Sequence, residues 1–503
     1  MTLDQDPEVQ SGIRLLEAWI DSQMAYRGLP GMSIGIVYDQ DLIWSRGFGH
    51  ADVEQQVPAG PETIYRIASI SKLFTSTAIL QLRDRGKLRL DDPVAAHLPW
   101  FALKGRDPDA PAVTIEHLLT HTAGLPRESA FPYWTDFAFP TREQIIETLP
   151  RQEVVYAPDT KWKYSNLAIA LAGELVAAAS GEPYEGYVGT NILEPLGMSS
   201  TSVVLPAAHR SRLATGYGRR LPDGRRAVRP FTEARGIAAA AGLSSTVGDL
   251  ARFAALQFHT GPGPMGERPI LKGSTLREMH RVHWLQPDWK SGWGLGFSVI
   301  HREERDLVGH GGWVAGYQTA MYFSPAEKVA VIALTNADDG HPYPGLPDSI
   351  VDHAFEWVAP AIRKAVAPAA KPGDPDPAWQ QYVGLYRDPW YDRQVLILDG
   401  QLAMIEPTEA DVGRSLGTLV PVGAHTFRLE GGRPGGPHGE LVVFELDGEG
   451  KVTRMKIGEN FSDRLRSIGM AEPGLATFAS PDHARSARVP PSTAKLGEMS
   501  SGP

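Results

Sequence analysis

The chain of 503 residues contains no cysteine, and this absence narrows the chemistry open to it. Disulfides, thiol nucleophiles and thiolate zinc sites are all excluded, although the absence says nothing about the cellular compartment. Covalent catalysis by this protein would therefore need a nucleophile other than a thiolate.

Long apolar runs and blocks of like charge are missing as well. No stretch of about 18 apolar residues occurs, and the N-terminal MTLDQDPEVQSG lacks a basic segment followed by an apolar one. The sequence as given predicts a soluble, cytoplasmic protein with no membrane partner, but a mature chain after signal removal would look the same. With 49 basic and 59 acidic residues and a formal charge of −10, we expect no nucleic-acid partner and small-molecule ligands instead.

A chain of this length exceeds the size of a single hydrophobic core, so two or more domains are expected. The segment APAAKPGDPDP is rich in proline and small residues, which is typical of a linker. We predict a first domain at 1–364, a linker at 365–378, a β domain at 379–470 and a disordered tail at 471–503.

Hydrophobic periodicity predicts helices in the middle of the first domain and strands towards both of its ends. This order favours an α+β layer with one antiparallel sheet. In the second domain, short strand-like runs between Tyr382 and Ile457 alternate with glycine-rich turns, a pattern typical of an antiparallel barrel or sandwich. The predicted elements of the first domain are helices at Ser11–Tyr26, Ile70–Arg85, Leu167–Ser180 and Ser349–Lys364, and strands at Met32–Tyr38, Leu42–Phe48 and within Leu307–Asn336.

The first candidate for chemistry is Ser69-Ile70-Ser71-Lys72, at the start of a helix that is apolar on most faces. A spacing of three puts the serine and the lysine on one face of the helix. A serine hydroxyl needs a neighbouring base, and a lysine serves as one when desolvation lowers its pKa. The motif alone also fits a capping serine beside a solvated lysine.

A second candidate, Tyr164-Ser165-Asn166, lies in a polar stretch just before the next apolar helix. The phenol can donate and accept a proton, and the amide can orient a lysine or a substrate amide. The alternative is that Ser165 or Asn166 only caps the helix.

A third candidate, His310-Gly311-Gly312, falls at the end of a predicted strand. Paired glycines let a backbone approach a ligand closely and present an N–H to a developing oxyanion. A bulge or tight turn with an incidental histidine is the alternative.

Taken in this order, S-x-x-K, Y-x-N and H-G-G resemble the motifs of the class C β-lactamases and their relatives, the D-aminopeptidases, DD-carboxypeptidases and family VIII esterases. The resemblance covers about residues 10 to 360 and includes further stretches. These are TIEHLLTHTAGLP (Thr114 to Pro126), ILEPLGMSST (Ile192 to Thr201) and AAGLSSTVGDLARF (Ala240 to Phe253).

This resemblance implies a β-lactamase-like α/β sandwich, followed by a lipocalin-like antiparallel β-barrel. It also implies an acyl-enzyme on Ser69, proton transfer by Lys72 and Tyr164, and orientation by Asn166. The backbone N–H groups of Ser69 and Trp313 would form an oxyanion hole, no cofactor would be needed, and Gly311 and Gly312 would line the substrate site.

At the third motif the chain departs from the K-T-G of β-lactamases, because His310 replaces the lysine. In the family a cation at this position meets an anionic or carbonyl group of the substrate. A histidine is a weaker and pH-dependent cation, so it should bind a β-lactam carboxylate poorly. For a substrate without a free carboxylate, a neutral histidine would suffice as a hydrogen-bond donor.

His117 and His121 have the spacing of a helical zinc pair, but Glu116 precedes the pair and no third ligand is evident. We therefore expect no metal. The sequence predicts a serine hydrolase acting on a small-molecule ester, amide or peptide, with an acyltransferase or a catalytically weak binding or sensor protein of the same fold as alternatives. It does not indicate an oligomeric state.

Overall fold

The chain divides into two compact units, Met1–Ala367 and Pro368–Pro503. A computed structural model describes residues 2–105, 109–259, 270–302, 305–338, 345–367 and 376–465. The predicted linker at 365–378 lies largely outside these residues, and the predicted tail at 471–503 lies wholly outside them.

The first unit is built on an antiparallel sheet of nine strands, the central sheet. Two of its inner strands, Gly31–Tyr38 and Val329–Thr335, are almost entirely buried and pair along their whole length. Such continuous apolar runs are typical of strands covered on both faces. In spatial order the strands are Val57–Pro58, Asp41–Asp52, Gly31–Tyr38, Val329–Thr335, Tyr317–Ser324, Arg305–Val314, Ser298–Arg302, Ser291–Trp293 and Trp284–Leu285.

Helices cover both faces of the central sheet, and each face has its own hydrophobic core. Because side chains alternate along a strand, Ile332 belongs to one core and Val331 to the other. The predicted α+β domain with one antiparallel sheet is thus confirmed. Its helices are Pro7–Arg27, Ser71–Asp84, Val94–His97, Ile115–Thr120, Tyr133–Asp136, Arg142–Thr148, Asn166–Ser180, Tyr184–Val188, Ala238–Ala241, Val247–Gln257, Gly273–His280, Leu346–Trp357 and Ala359–Val366. Two strand pairs lie outside the central sheet, Tyr65–Arg66 with Ser244–Ser245 and Gly216–Arg220 with Arg226–Arg229.

Two of these helices lie at the centre of the larger core. Ser71–Asp84 is buried along nearly its whole length, and Asn166–Ser180 packs beside it and ends at Gly181 in the left-handed conformation (φ 82°). Glycine adopts this conformation without a steric penalty, so it is a common helix terminator. The two helices carry Lys72 and Asn166, so their packing brings two of the predicted motifs together.

The C-terminal helix of the first unit differs from the prediction. In place of one helix at Ser349–Lys364, the structure has Leu346–Trp357 followed by Ala359–Val366. The break falls at Val358, just before Pro360, which occupies the first turn of the second helix. Proline has no N–H to donate and clashes with the preceding turn, so it begins a helix readily but does not continue one.

In the second unit, eight antiparallel strands form a closed barrel, which confirms the predicted barrel. Three of its strands are Gly384–Arg387, Gly417–Gly423 and Asn460–Arg464. The other strands are Asp392–Leu398, Gln401–Ile405, Thr426–Gly431, Leu441–Leu446 and Val452–Ile457. Two short helices, Pro377–Tyr382 and Val412–Ser415, accompany the barrel.

We predict that a fragment ending at Ala367 folds by itself. The hydrophobic clusters of the first unit contain no described residue beyond Ile362, and that of the barrel begins at Trp379. Because each unit has its own core, the fragment should unfold in one cooperative transition on heating. A fragment that shows native-like circular dichroism but no cooperative transition would contradict this prediction.

Candidate active site

Ser69 lies in a single 3-10 turn, Ala68–Ile70, that leads into the helix Ser71–Asp84. The residue before it, Ala68, has a positive φ of 49°, a conformation that costs a non-glycine residue on the order of 1–2 kcal/mol. This sharp turn leaves the Ser69 hydroxyl on the wall of a cavity while its neighbours are buried.

Neighbouring segments hold the strained turn on both sides. The N–H of Ile67 donates to the carbonyl of Leu243 at 3.0 Å, and the Thr319 hydroxyl donates to the carbonyl of Ile67 at 3.1 Å. The hydroxyl of Ser71 accepts from the N–H of Leu243 at 3.0 Å. These bonds set the position of Ser69 from two distant parts of the chain.

Lys72 is completely buried. Its Nζ lies 2.9 Å from Ser69 Oγ, 2.8 Å from Asn166 Oδ1 and 2.8 Å from the carbonyl oxygen of Ala240. The predicted contact between the serine and the lysine, which are three residues apart, is therefore present. All three partners are oxygens, and two of them can only accept a hydrogen bond.

Burial lowers the pKa of Lys72 well below its usual value. The negative charge of Glu128 opposes this effect, and the positive charge of Arg127 reinforces it. Desolvation dominates because it penalises only the charged form of the amine. The structure thus favours a neutral lysine amine next to the serine hydroxyl.

The phenol of Tyr164 donates to Ser69 Oγ at 2.9 Å. Burial raises the pKa of this phenol above its usual value of 10, so it is protonated at neutral pH. Its ring packs against His121, with 4.5 Å between centroids, and lies edge-on to Trp293 at 6.0 Å. Sequence analysis had no signal for these ring contacts, because they join segments more than 40 residues apart.

Asn166 is held by a residue that the sequence analysis missed. Its Nδ2 donates to both carboxylate oxygens of Glu128, at 2.9 and 3.1 Å. The Tyr133 hydroxyl donates to the same carboxylate, and Arg127 forms an ion pair with it at 3.1 Å. Because Glu128 takes the amide nitrogen, the amide oxygen of Asn166 must face Lys72.

The helix cap expected near Asn166 is Ser165, whose Oγ accepts from the N–H of Ala168 at 2.9 Å. Asn166 is the first residue of the helix and leaves its side chain for Lys72 and Glu128. Ser165 therefore caps the helix, and Asn166 orients Lys72.

His310 is buried at the side of Ser69 and Tyr164. Its Nδ1 donates to the carbonyl of Gly311, while its Nε2 has no hydrogen-bond partner among the described residues. Burial lowers its pKa to about 3, so the imidazole is uncharged at neutral pH. The sequence led us to expect a cation or hydrogen-bond donor here, but the structure leaves an uncharged ring whose free nitrogen is an acceptor.

Gly312 allows the strand Arg305–Val314 to pack directly against the turn that carries Ser69. A Cβ on Gly312 would lie 2.4 Å from the carbonyl oxygen of Ile67 and 3.2 Å from Cβ of Ala68. Gly311 faces the opposite side of the strand, where a Cβ would lie 3.4 Å from Asp348. Burial, helped by the neighbouring Asp352, raises the pKa of Asp348 to about 6.

Trp313 continues this strand beside the cavity, and its side chain is 47% exposed. Its indole N–H donates to Asp338 at 2.9 Å. Asp338 in turn donates its backbone N–H to the carbonyl of Tyr217, at 2.8 Å. The strand that carries the third motif is thus tied to the hairpin Gly216–Arg220 and Arg226–Arg229.

Ser69 lies on the wall of a cavity of about 770 Å³. This volume would hold a drug-sized molecule. Its phenylalanine, tyrosine and tryptophan lining residues are Trp134, Phe137, Trp162, Tyr164, Trp293, Trp313 and Tyr322. Its charged lining residues are Arg127, Glu128, Arg229, Asp338 and Asp348.

The two histidines of the zinc-like spacing have other roles in the structure. His121 ends its helix in the left-handed conformation (φ 58°), so the two rings do not share a helix face. His117 Nε2 bonds to Asp159 at 2.9 Å, and His121 Nδ1 accepts from the N–H of Ser165 at 3.2 Å. Across the described ranges, no group of three or more histidine, aspartate or glutamate side chains could hold a metal ion.

Over the same ranges, no helix has the length and apolar character needed to span a membrane.

The fold and the site together define an α+β protein of the β-lactamase type, with a serine, a lysine and a tyrosine in mutual contact. A family model described as Beta-lactamase matches residues 16–355, and the chain belongs to this family. The predicted resemblance is confirmed, and so is the enzyme class that it implied, a β-lactamase-related serine hydrolase.

Three relatives show the range of the similarity. The chain is 29% identical to Beta-lactamase-like protein 2 of Dictyostelium discoideum, over 65% of this chain and 60% of that protein. It is 27% identical to Esterase EstB of Burkholderia gladioli, over 64% of this chain and 89% of the esterase. The solved structure of an octameric penicillin-binding protein homologue from Pyrococcus abyssi aligns with 90% of this chain and 99% of its own, at 25% identity and a TM-score of 0.59.

We predict that Gly312→Ala destabilises the protein much more than Gly311→Ala does. The added methyl on Gly312 collides with backbone, whereas that on Gly311 meets only ordinary contacts. Overpacking of this kind typically costs about 1–3 kcal/mol, and denaturant unfolding of both variants measures the difference. Equal losses of stability would show that the strand does not depend on a glycine at 312.

Proposed function

We propose that this protein is a serine hydrolase that forms an acyl-enzyme on Ser69 while it hydrolyses a small ester or amide. The observation that carries the proposal is the position of Ser69 Oγ, 2.9 Å from both Lys72 Nζ and the Tyr164 hydroxyl. A weak nucleophile therefore has a base and a proton donor in direct contact.

Lys72 acts as the base for acylation. A neutral amine has two N–H donors and one lone pair. The carbonyl oxygens of Asn166 and Ala240 can only accept, so they take the two donors. The lone pair then faces Ser69, whose hydroxyl donates to it and transfers its proton as Oγ attacks the substrate carbonyl.

Tyr164 acts as the acid because its phenol stays protonated at neutral pH. Its hydrogen bond to Ser69 Oγ places the proton where the leaving oxygen or nitrogen departs. The Tyr164 phenolate left behind takes a proton from a water molecule as that water attacks the acyl carbonyl. Lys72 returns its proton to Ser69 Oγ as the acid is released.

The negative charge that develops on the substrate oxygen is met by backbone N–H groups of Ser69 and Trp313. Support comes from the close packing at Gly312, which brings the strand of Trp313 against the turn of Ser69. Fixed donors of this kind often contribute about 3–4 kcal/mol to transition-state stabilisation. Asn166 orients Lys72, while His310, Gly311 and Gly312 border the substrate.

The leading substrates are esters and amides whose acyl or leaving group is bulky and apolar, because aromatic side chains line much of the cavity. The name of the Burkholderia relative favours esters. Acyl transfer to an acceptor other than water uses the same acyl-enzyme, and product analysis with and without added alcohol separates the two reactions.

We predict that a fluorophosphonate probe modifies Ser69 and that Ser69→Ala abolishes both labelling and turnover of p-nitrophenyl esters. Without the nucleophile the rate should fall by at least about three orders of magnitude. Ser298→Ala is the matched control, since this serine also lines the cavity but takes no part in the turn of Ser69. An adduct mapped to any other serine would overturn the assignment.

We predict that Lys72→Ala and Tyr164→Phe each lower kcat/KM by about two to four orders of magnitude. Because only the neutral amine is a base, wild-type kcat/KM should fall as the pH drops through the lowered pKa of Lys72. It should decline again only above pH 10, where the raised pKa of Tyr164 is reached. Tyr184→Phe is the control, because that buried phenol bonds Thr75 at 2.7 Å. Variants that keep wild-type rates and pH profiles would exclude these roles.

A further inference from the structure

Because burial disfavours charge on Lys72 and His310, a different side chain would have to bind an anionic group of a substrate. Among the described residues, the basic side chains that line the cavity are Arg127, Arg229 and His310, and Lys72 contacts Ser69 on its wall. Burial disfavours the charged form of two of these four. His310 is uncharged at neutral pH, and the buried Lys72 has a pKa well below its usual value and is surrounded by three partners.

Arg127 is charged but already paired. Its Nε lies 3.1 Å from a carboxylate oxygen of Glu128, and its guanidinium lies over the ring of Tyr164 at 4.8 Å. Glu128 is needed to orient Asn166, so a substrate anion would have to compete with an internal carboxylate.

Arg229 differs from the others because no described carboxylate pairs with it. Its Nε is buried and has no hydrogen-bond partner within the described ranges. Its guanidinium lies across its own hairpin, so close to Gly218 that a Cβ there would be 2.7 Å from Nε, and over the ring of Phe137 at 5.9 Å. A charged group positioned in this way loses little conformational entropy when it binds a ligand.

Two neighbouring arginines of the same hairpin have acceptors. Arg225 forms an ion pair with Asp223 at 2.6 Å, and Arg226 donates to the carbonyls of Arg27 and Gly28. Arg229 alone of these three lines the cavity that contains Ser69. A guanidinium presents parallel N–H groups that match the two oxygens of a carboxylate.

We propose that Arg229 binds a free carboxylate of the substrate, and that the preferred substrates of this protein are therefore anionic esters or amides. This inference rests on the proposed acyl-enzyme at Ser69, because it concerns the same cavity. In this proposal Arg229 binds the substrate anion, a role that the sequence analysis had considered for His310.

The test compares three phenyl esters that differ only in a carboxylate. They are phenyl butyrate, the monophenyl ester of glutaric acid, with the carboxylate on the acyl side, and 3-carboxyphenyl butyrate, with it on the leaving side. We expect the full-length protein to prefer at least one acid over the neutral ester. Arg229→Gln should lower that ratio of kcat/KM values at least tenfold, mainly through KM, and Arg229→Lys should lower it less.

Arg225→Gln is the matched control, because it removes the same charge from the exposed turn of the same hairpin. It should leave the ratio within about twofold of wild type. If Arg229→Gln leaves the ratio unchanged, or if Arg225→Gln lowers it equally, the assignment of Arg229 is wrong.

Calorimetric binding separates this outcome from a failure of the proposed function. Glutaric acid monoanilide and butyranilide are titrated into Ser69→Ala, with and without Arg229→Gln. At least tenfold weaker binding of the acid alone in the double variant supports the carboxylate site even if Ser69 proves not to be the nucleophile. Equal binding in both variants would overturn the carboxylate site even if Ser69 is the nucleophile.

Discussion

The complete burial of Lys72 is the constraint on which the rest of the site depends. An ammonium ion in this position would need compensation for lost hydration, and the neighbours supply only oxygens of a serine, an amide and a backbone carbonyl. The amine therefore favours the neutral form, and a neutral amine with two donors committed has its lone pair left for Ser69. The same desolvation raises the pKa of the Tyr164 phenol and keeps it protonated. Burial therefore favours the neutral form of both groups, which makes Lys72 a base and Tyr164 an acid at the same pH.

Close packing of backbone against backbone sets the geometry around this pair. The turn at Ala68 is strained, and it is held by bonds from Leu243 and Thr319 and by a strand that approaches through Gly312. Strained conformations of this kind persist only where the surrounding structure determines them. The two hydrophobic cores on either face of the central sheet supply that rigidity, because the strand and the helix that meet at Ser69 are both anchored in the larger core.

Burial disfavours charge on the side chains at the reacting centre, whereas the wall of the cavity carries charged side chains. Burial lowers the pKa of both Lys72 and His310 and so disfavours their charged forms, while carboxylates and guanidinium groups lie elsewhere on the lining. A neutral centre avoids the cost of two adjacent buried charges. Selectivity for a charged substrate is then left to side chains of the wall, of which Arg229 lacks a carboxylate partner among the residues described.

From the sequence alone, local periodicity predicted the α+β class and the C-terminal barrel. The resemblance of its motifs predicted the family and pointed to Ser69, Lys72, Tyr164 and Asn166 as candidate site residues. Periodicity misjudged the last helix of the first unit, where Pro360 outweighed a continuous amphipathic pattern. Only the tertiary structure decided that His310 is an uncharged acceptor, that Glu128 orients Asn166 and that Arg229 faces the cavity. Protonation and pairing depend on burial and on neighbours contributed by distant segments, and no local pattern records either of them.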